Sequence, residues 1–183
     1  DVKNHFGNKV YISWKSFLLK QAGDTPDRAK FVRYSQGWES IHNQEKRTEF
    51  RPWEGDNDPP SGSLPAQIAH KLVSELWPEK AMLMHYRLLE AYFSEHRTIS
   101  DWGVLTELVS EIDADSSEFL VMLNERKNDL TNLVIKEHNE AVNQGVTAVP
   151  TVLINHVLPV PGAQESETYI NWIERIIERE RSS

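Results

Sequence analysis

Gly145-Val146-Thr147-Ala148-Val149-Pro150-Thr151-Val152-Leu153-Ile154-Asn155 is the stretch on which the reading of this 183-residue chain turns. Glycine enters the left-handed conformation at no steric cost, so Gly145 is placed to stop a helix. A short loop then leads to a Val-Pro bond, and the apolar, β-branched run Thr151 to Ile154 reads as a strand. Asn155-His156 is a tight turn. Val157 to Val160 follows as a second strand, confined by its prolines to a short or edge position, because proline cannot donate to a ladder. Gly162-Ala163-Gln164 then opens a last helix over 166–179, with Tyr169, Ile170, Ile173, Ile176 and Ile177 as its apolar set. Glu178-Arg179-Glu180-Arg181 reads as a solvated tail.

At the other end, Lys9 to Lys15 alternates. Val10, Ile12 and Trp14 fall on one side and Tyr11, Ser13 and Lys15 on the other, the period of a strand. Gly7-Asn8 is a turn before it. Asp24-Thr25-Pro26 can start a helix, with Thr25 as cap and Pro26 at the first position. Its burial candidates are Phe31, Tyr34, Trp38 and Ile41. Residues 50–62 hold three prolines and two glycines among polar residues and read as a long loop, with Trp53 as a rim contact. From Ser63 the period is helical. Leu64, Ile68, Leu72, Val73 and Leu76 share a face. Pro78 opens a helix with Ala81, Leu88, Leu89, Tyr92 and Phe93. Ser100 caps a third helix, with Leu105, Leu108, Val109 and Ile112. Asp115 or Ser116 caps a short fourth around Phe119, Leu120 and Leu123. A fifth spans about 128–144, with Leu130, Leu133, Val134 and Ala141.

Composition limits the chemistry. The formal charge of −8 argues against a broad nucleic-acid footprint, which needs clustered Lys and Arg. No apolar run approaches the ~20 residues that span a bilayer, and no signal segment opens the chain. The expected location is the cytoplasm. The chain has no cysteine, which excludes disulfides and thiolate metal sites within it.

The order strand, helical block, hairpin, helix, together with the Val149-Pro150-Thr151 stretch and Gly162-Ala163-Gln164, resembles the DsbA-like branch of thioredoxin-fold proteins, in particular the FrnE-type dithiol–disulfide oxidoreductases. Trp14-Lys15-Ser16-Phe17-Leu18-Leu19 is similar to the end of that family's second strand, with Ser16 in a proline position. Ala66 to Leu72, Leu88 to Phe93 and Ile99-Ser100-Asp101 look like its helical block. The resemblance implies an α/β thioredoxin-like fold with a helical insertion. Residues 1–60 and 145–183 form the thioredoxin-like portion and 61–144 the insertion, which shapes a substrate groove. It implies a cis bond before Pro150. It also implies that Val149, Pro150 and Thr151 present main-chain groups to an extended substrate as an added strand. Phe17 either lines the groove or packs in the core.

The family works with a cysteine pair at the start of its first helix, where the helix N-terminus lowers the thiol pKa. Here the resemblance begins after that unit, and Asp1 to Asn8 looks like the tail of the first helix. The first strand and active-site helix are therefore missing. That strand would lie at the sheet centre, between Val10–Trp14 and Thr151–Ile154, and the cysteine pair is expected upstream of Asp1. No catalytic residue is assigned within the chain. The function expected is thiol–disulfide exchange on a peptide or small-molecule disulfide or thiol, without cofactor, nucleic acid or membrane; a homodimer is compatible with it.

Two other readings stand beside it. The kappa-class glutathione transferases and 2-hydroxychromene-2-carboxylate isomerases resemble this layout and use glutathione with a serine. A non-catalytic peptide-binding module on the same fold is the third. No metal site is expected: His70 and His85 fall on adjacent helices, but no His-Glu-x-x-His occurs. Asp113-Ala114-Asp115-Ser116-Ser117 begins like a calcium loop, yet Glu118 stands where glycine is needed, so it reads as helix capping.

Overall fold

The structure, a computed structural model, describes residues 1–19, 26–44, 49–155 and 158–181. They divide into two compact units. One comprises Asp1–Phe17 and Glu137–Ser183, the other Leu18–Lys136. The sequence boundaries at 60/61 and 144/145 thus differ from the contact boundaries at 17/18 and 136/137. The stretch 26–60 packs with the helical unit through Trp38 and Trp53.

The helical unit holds α2 (Arg28–Ser35), α3 (Trp38–Gln44), α4 (Leu64–Leu76), α5 (Ala81–Phe93), α6 (Trp102–Glu111) and most of α7 (Ser116–Asn143). Its core is Ile68, Ala69, Leu72 and Val73 of α4, Met84 and Ala91 of α5, Leu105, Leu108 and Val109 of α6, and Phe119 and Val134 of α7, each at most 1% exposed. These follow the helical spacing of the sequence. Pro78 opens a 3-10 turn, Pro78–Lys80, ahead of α5. Lys80 Nζ donates to the carbonyls of Ile112 and Asp113 at 3.0 and 2.7 Å, satisfying the end of α6.

Several starts differ from the sequence reading. Helix α2 begins at Arg28, capped by Asp27, whose carboxylate accepts from Lys30 N–H at 2.8 Å; Thr25 lies outside the described residues. Helix α6 is capped by Asp101, through Val104 N–H at 3.0 Å, because Ser100 Oγ is engaged by Ser61 N–H. Asp115 does cap α7, accepting from Ser117 and Glu118 N–H. The fourth and fifth expected helices are one helix of 28 residues. The polar stretch Asn124 to Asn128 contains no proline or glycine to break it. Tyr34 and Ile41 are 70% and 44% exposed, not buried. Trp53 is corrected from rim to core at 1% exposed. Its main-chain N–H donates to Ser35 Oγ, its indole to Asn57 C=O, and Phe31, Tyr92 and His96 pack around its ring.

The other unit holds α1 (Val2–Phe6), the end of α7, β1 (Thr151–Ile154), β2 (Leu158–Pro161) and α8 (Ser166–Arg181). Gly145 closes α7 with φ +82°. Gly145 N–H donates to Val142 C=O and Val146 N–H to Ala141 C=O, a Schellman ending. The expected turn spans Asn155, which has φ +50°, and His156, which lies outside the described residues, as does Val157. The charged tail 178–181 continues α8 as regular helix, and Arg179 and Arg181 sit in its last turn, where cations complement the dipole.

The expected strand Val10–Trp14 is corrected: among the described residues it joins no ladder. The only sheet there is the pair β1-β2. Gly7–Lys9 is a 3-10 turn, Val10 is extended, and Tyr11, Ile12 and Trp14 are 89%, 49% and 58% exposed. An alternating row buries a face only when a neighbouring strand completes the sheet, and none pairs here.

Candidate substrate-binding edge

Strands β1 and β2 run antiparallel, with Thr151 opposite Pro161, Val152 opposite Val160, Leu153 opposite Pro159 and Ile154 opposite Leu158. Gly162 N–H donates to Pro150 C=O at 2.8 Å, just ahead of this register. Hydrogen-bonded pairs alternate along an antiparallel ladder. Counting from 150/162, the bonded pairs are 152/160 and 154/158. Pro159 and Pro161 therefore occupy the non-bonded positions, where a missing N–H costs the ladder nothing. By the same alternation Thr151 and Leu153 direct their N–H and C=O groups to the edge of β1 away from β2. No other described strand takes that edge.

Val149 lies directly before it. The Val149–Pro150 peptide is cis. Val149 is 40% exposed, and no described residue hydrogen-bonds its N–H or C=O. The loop is fixed from both sides. Thr151 Oγ1 donates to Ala148 C=O at 2.6 Å. Gly162, at φ +76°, passes its carbonyl to the Tyr169 hydroxyl at 3.2 Å, and Gln164 donates to Pro161 C=O at 3.0 Å. Gly162-Ala163-Gln164 thus binds the hairpin to α8, and Tyr169 is a supporting residue that its apolar spacing alone did not reveal.

Of the expected site residues, Val149 and Thr151 lie along this edge, whereas Pro150, expected to present main-chain groups there, turns its carbonyl to Gly162 N–H on the β2 side and has no N–H of its own. Phe17 is half-buried, its ring edge-on to His138 at 4.8 Å. The sequence reading missed the acid beside it. Glu137, 5% exposed near the end of α7, accepts from the buried Ser16 N–H at 2.8 Å and pairs with Lys15 Nζ at 3.3 Å. The N–H that the carboxylate takes exists because residue 16 is a serine and not a proline. A charge-assisted bond to a buried amide is stronger than a neutral one.

Elsewhere, His70 and His85 meet edge to face with centroids 5.8 Å apart. Burial pushes both imidazoles below their usual pKa, and for His70 the neighbouring His85 pushes the same way. No group of three or more metal-ligating side chains occurs among the described residues. No described helix is long and apolar enough to cross a membrane.

With this geometry in hand, known proteins give a consistent comparison. The family described as DSBA-like thioredoxin domain matches residues 3–173. The uncharacterized protein YwbO of Bacillus subtilis is 31% identical over 84 residues, 45% of this chain and 40% of that protein. A Nitrosomonas europaea structure, provisionally described as a protein disulfide isomerase, superposes with TM-score 0.70 at 13% identity over 87% of this chain and 79% of that one. The cytosolic disulfide reductase DsbM of Pseudomonas aeruginosa superposes with TM-score 0.60 at 16% identity, over 88% and 82%.

Proposed function

The chain belongs to the DSBA-like thioredoxin domain family, and from that premise we propose that it serves a thiol–disulfide oxidoreductase or isomerase of the FrnE type whose cysteine pair lies upstream of Asp1. The observation that carries the reading is the open edge at Val149, Thr151 and Leu153. An extended peptide laid along it pairs its main chain with Val149, so that affinity comes from backbone groups and tolerates many sequences. A thiolate supplied from outside these residues then attacks the substrate disulfide, forming a mixed disulfide that its partner thiol resolves. The substrate is a peptide or small-molecule disulfide or thiol. The location proposed is cytoplasmic, in keeping with the DsbM relative. Neither a nucleic acid nor a membrane takes part.

The test is an insulin-disulfide reduction assay on the product of the whole coding sequence, with trapping of the mixed disulfide by a single-cysteine variant. Thiol-dependent turnover and a trapped complex are expected. A product without an upstream cysteine pair, or one that has the pair and neither reduces insulin nor traps a partner, overturns the reading.

A second reading is a glutathione-dependent transferase or isomerase, which uses a serine where the first reading has a cysteine pair. A structure of DsbM with GSH superposes on this chain with TM-score 0.61, which makes a small thiol ligand compatible with the fold. Conjugation of glutathione to an electrophile by the whole product, without insulin reduction, is its signature. A peptide-binding module would show peptide affinity with neither activity.

A further inference from the structure

Helices α4 and α5 bring two imidazoles together at the margin of the helical unit's core. His70 of α4 and His85 of α5 are half-buried, and their rings meet with centroids 5.8 Å apart and planes at 71°. The ring of His70 donates to the carbonyl of Ala81, the first residue of α5. That bond fixes the proton on one ring nitrogen and leaves a lone pair on the other, the arrangement in which a histidine commonly serves as a metal ligand. It also sets the His70 ring at the level of Ala81, one turn before His85. Met82 follows Ala81 and lies three residues before His85, so its thioether shares that side of the helix. Helical side chains lean toward the N-terminus, which carries the His85 ring toward Met82. Met82 is 40% exposed and is not held in the core.

The ring separation selects the kind of ion. An ion about 2.0 Å from a ring nitrogen lies roughly 3.2 Å from that ring's centroid. Two rings sharing it then have centroids about 5.2 Å apart at a tetrahedral angle, about 5.5 Å at a trigonal one and about 6.4 Å in line. The observed 5.8 Å falls between trigonal and linear, the range of an ion with few ligands. No third imidazole or carboxylate joins the pair among the described residues, so the four ligands of a structural zinc and the oxygen shell of calcium are not supplied. Charge points the same way. The charged side chain that shifts His70 is Lys71, a cation, and no carboxylate shifts either imidazole. Neutral ligands beside a cation suit a monovalent ion better than a divalent one. Burial holds both imidazoles below their usual pKa, so at neutral pH neither must shed a proton to bind.

We propose that His70, His85 and Met82 form a copper(I) site, with two imidazole nitrogens and one thioether sulfur around a single ion. Soft thioether sulfur selects copper(I), and imidazole suits copper in general. The edge-to-face contact sets one ring's edge against the other's face, so loading turns one ring about its Cβ–Cγ bond, a torsion with broad minima in histidine. None of these residues belongs to the β1 edge, and copper binding is expected whichever reaction the whole product performs.

Titration of this chain with copper(I) under ascorbate, against a bicinchoninate competitor, tests it. The wild type holds a single tight equivalent. His70→Ala and His85→Gln, made singly, each weaken binding at least tenfold, with far-UV circular dichroism and melting of the copper-free protein as controls for folding. X-ray absorption at the copper K edge shows nitrogen and one sulfur around the ion. Met82→Leu, an exposed and volume-conserving change, removes the sulfur signal and carries the test should a histidine variant melt early. A chain that holds no copper(I), binding indifferent to both histidine variants, a wild-type spectrum without sulfur, or a sulfur signal that survives in Met82→Leu overturns the proposal. So does a preference for zinc over copper(I) at the same two histidines.

Discussion

Gly145 ends α7 at φ +82° with open space where a Cβ would stand, so the cost of substitution there is one of backbone conformation alone. Gly145→Ala lowers stability by about 1 kcal/mol, and Gly145→Asn by less, because asparagine tolerates the left-handed region; urea unfolding at constant m-value measures both. Glu137 acts by the opposite physics, through a side chain that holds a buried main-chain donor. Glu137→Ala strands the Ser16 N–H and costs about 1–3 kcal/mol, whereas Glu137→Gln keeps an acceptor and costs less. Equal losses for the two variants would show that the carboxylate's contact with Ser16 contributes nothing. These two residues also show what a sequence discloses at this scale. Gly145 is legible because one residue type fits its conformation. Glu137 is not, since its partner lies 121 residues away and an acid on a polar helix face announces no burial.

At the scale of elements, the pair His70–His85 couples α4 and α5 to pH. Burial holds both imidazoles below their usual pKa in the folded protein. Above about pH 6.5 neither state binds the proton and the contribution to stability is full; below it the unfolded chain binds protons that the folded chain refuses, so stability falls with pH. Chemical denaturation between pH 7.5 and 5.5 should show this loss, at most about 1.4 kcal/mol per pH unit for each histidine, and His85→Gln should flatten the slope. A slope unchanged by that substitution assigns the pH dependence elsewhere. A second element-scale device ties α5 to α6. Burial alone would raise the Glu111 carboxyl, but hydrogen bonds from Arg97 and Arg87 hold it below the usual range. Glu111→Gln costs about 0.5–1 kcal/mol, less at high salt, since the group is partly solvated. Most elements were legible from local pattern: α4, α6 and α8 carry a helical period of 3.6, and β1 is a short apolar, β-branched run bounded by turn residues. The segment Val10–Trp14 carries a strand's period too, but a period declares a preference and a ladder needs a neighbour. The division of α7 into two helices failed because a polar stretch without proline or glycine interrupts an apolar stripe without interrupting a helix.

For the whole molecule, the two units differ in how deeply they bury apolar groups. The helical unit encloses Ala69, Leu72, Val73, Met84, Leu105, Leu108, Val109, Phe119 and Val134 at 0% exposure. In the other unit the buried apolar residues among those described are Phe6, Ile154 and Val160, each at 8–9%, and α8, apolar along Ile170, Ile173, Ile176 and Ile177, fully buries none of its described residues. Local opening follows this inequality, because the free energy to expose a backbone amide tracks the apolar area lost when its element detaches. Hydrogen exchange read by mass spectrometry should therefore find amides of α4 and α6 exchanging only through global unfolding, and those of α8 and β1 orders of magnitude faster. An extended peptide added along Val149 to Leu153 should slow β1 selectively, since each main-chain bond it forms closes one amide on the open edge. Uniform protection across both units would contradict the unequal cores. Protection that appears on peptide addition in α8 but not in β1 would contradict the edge as the binding surface.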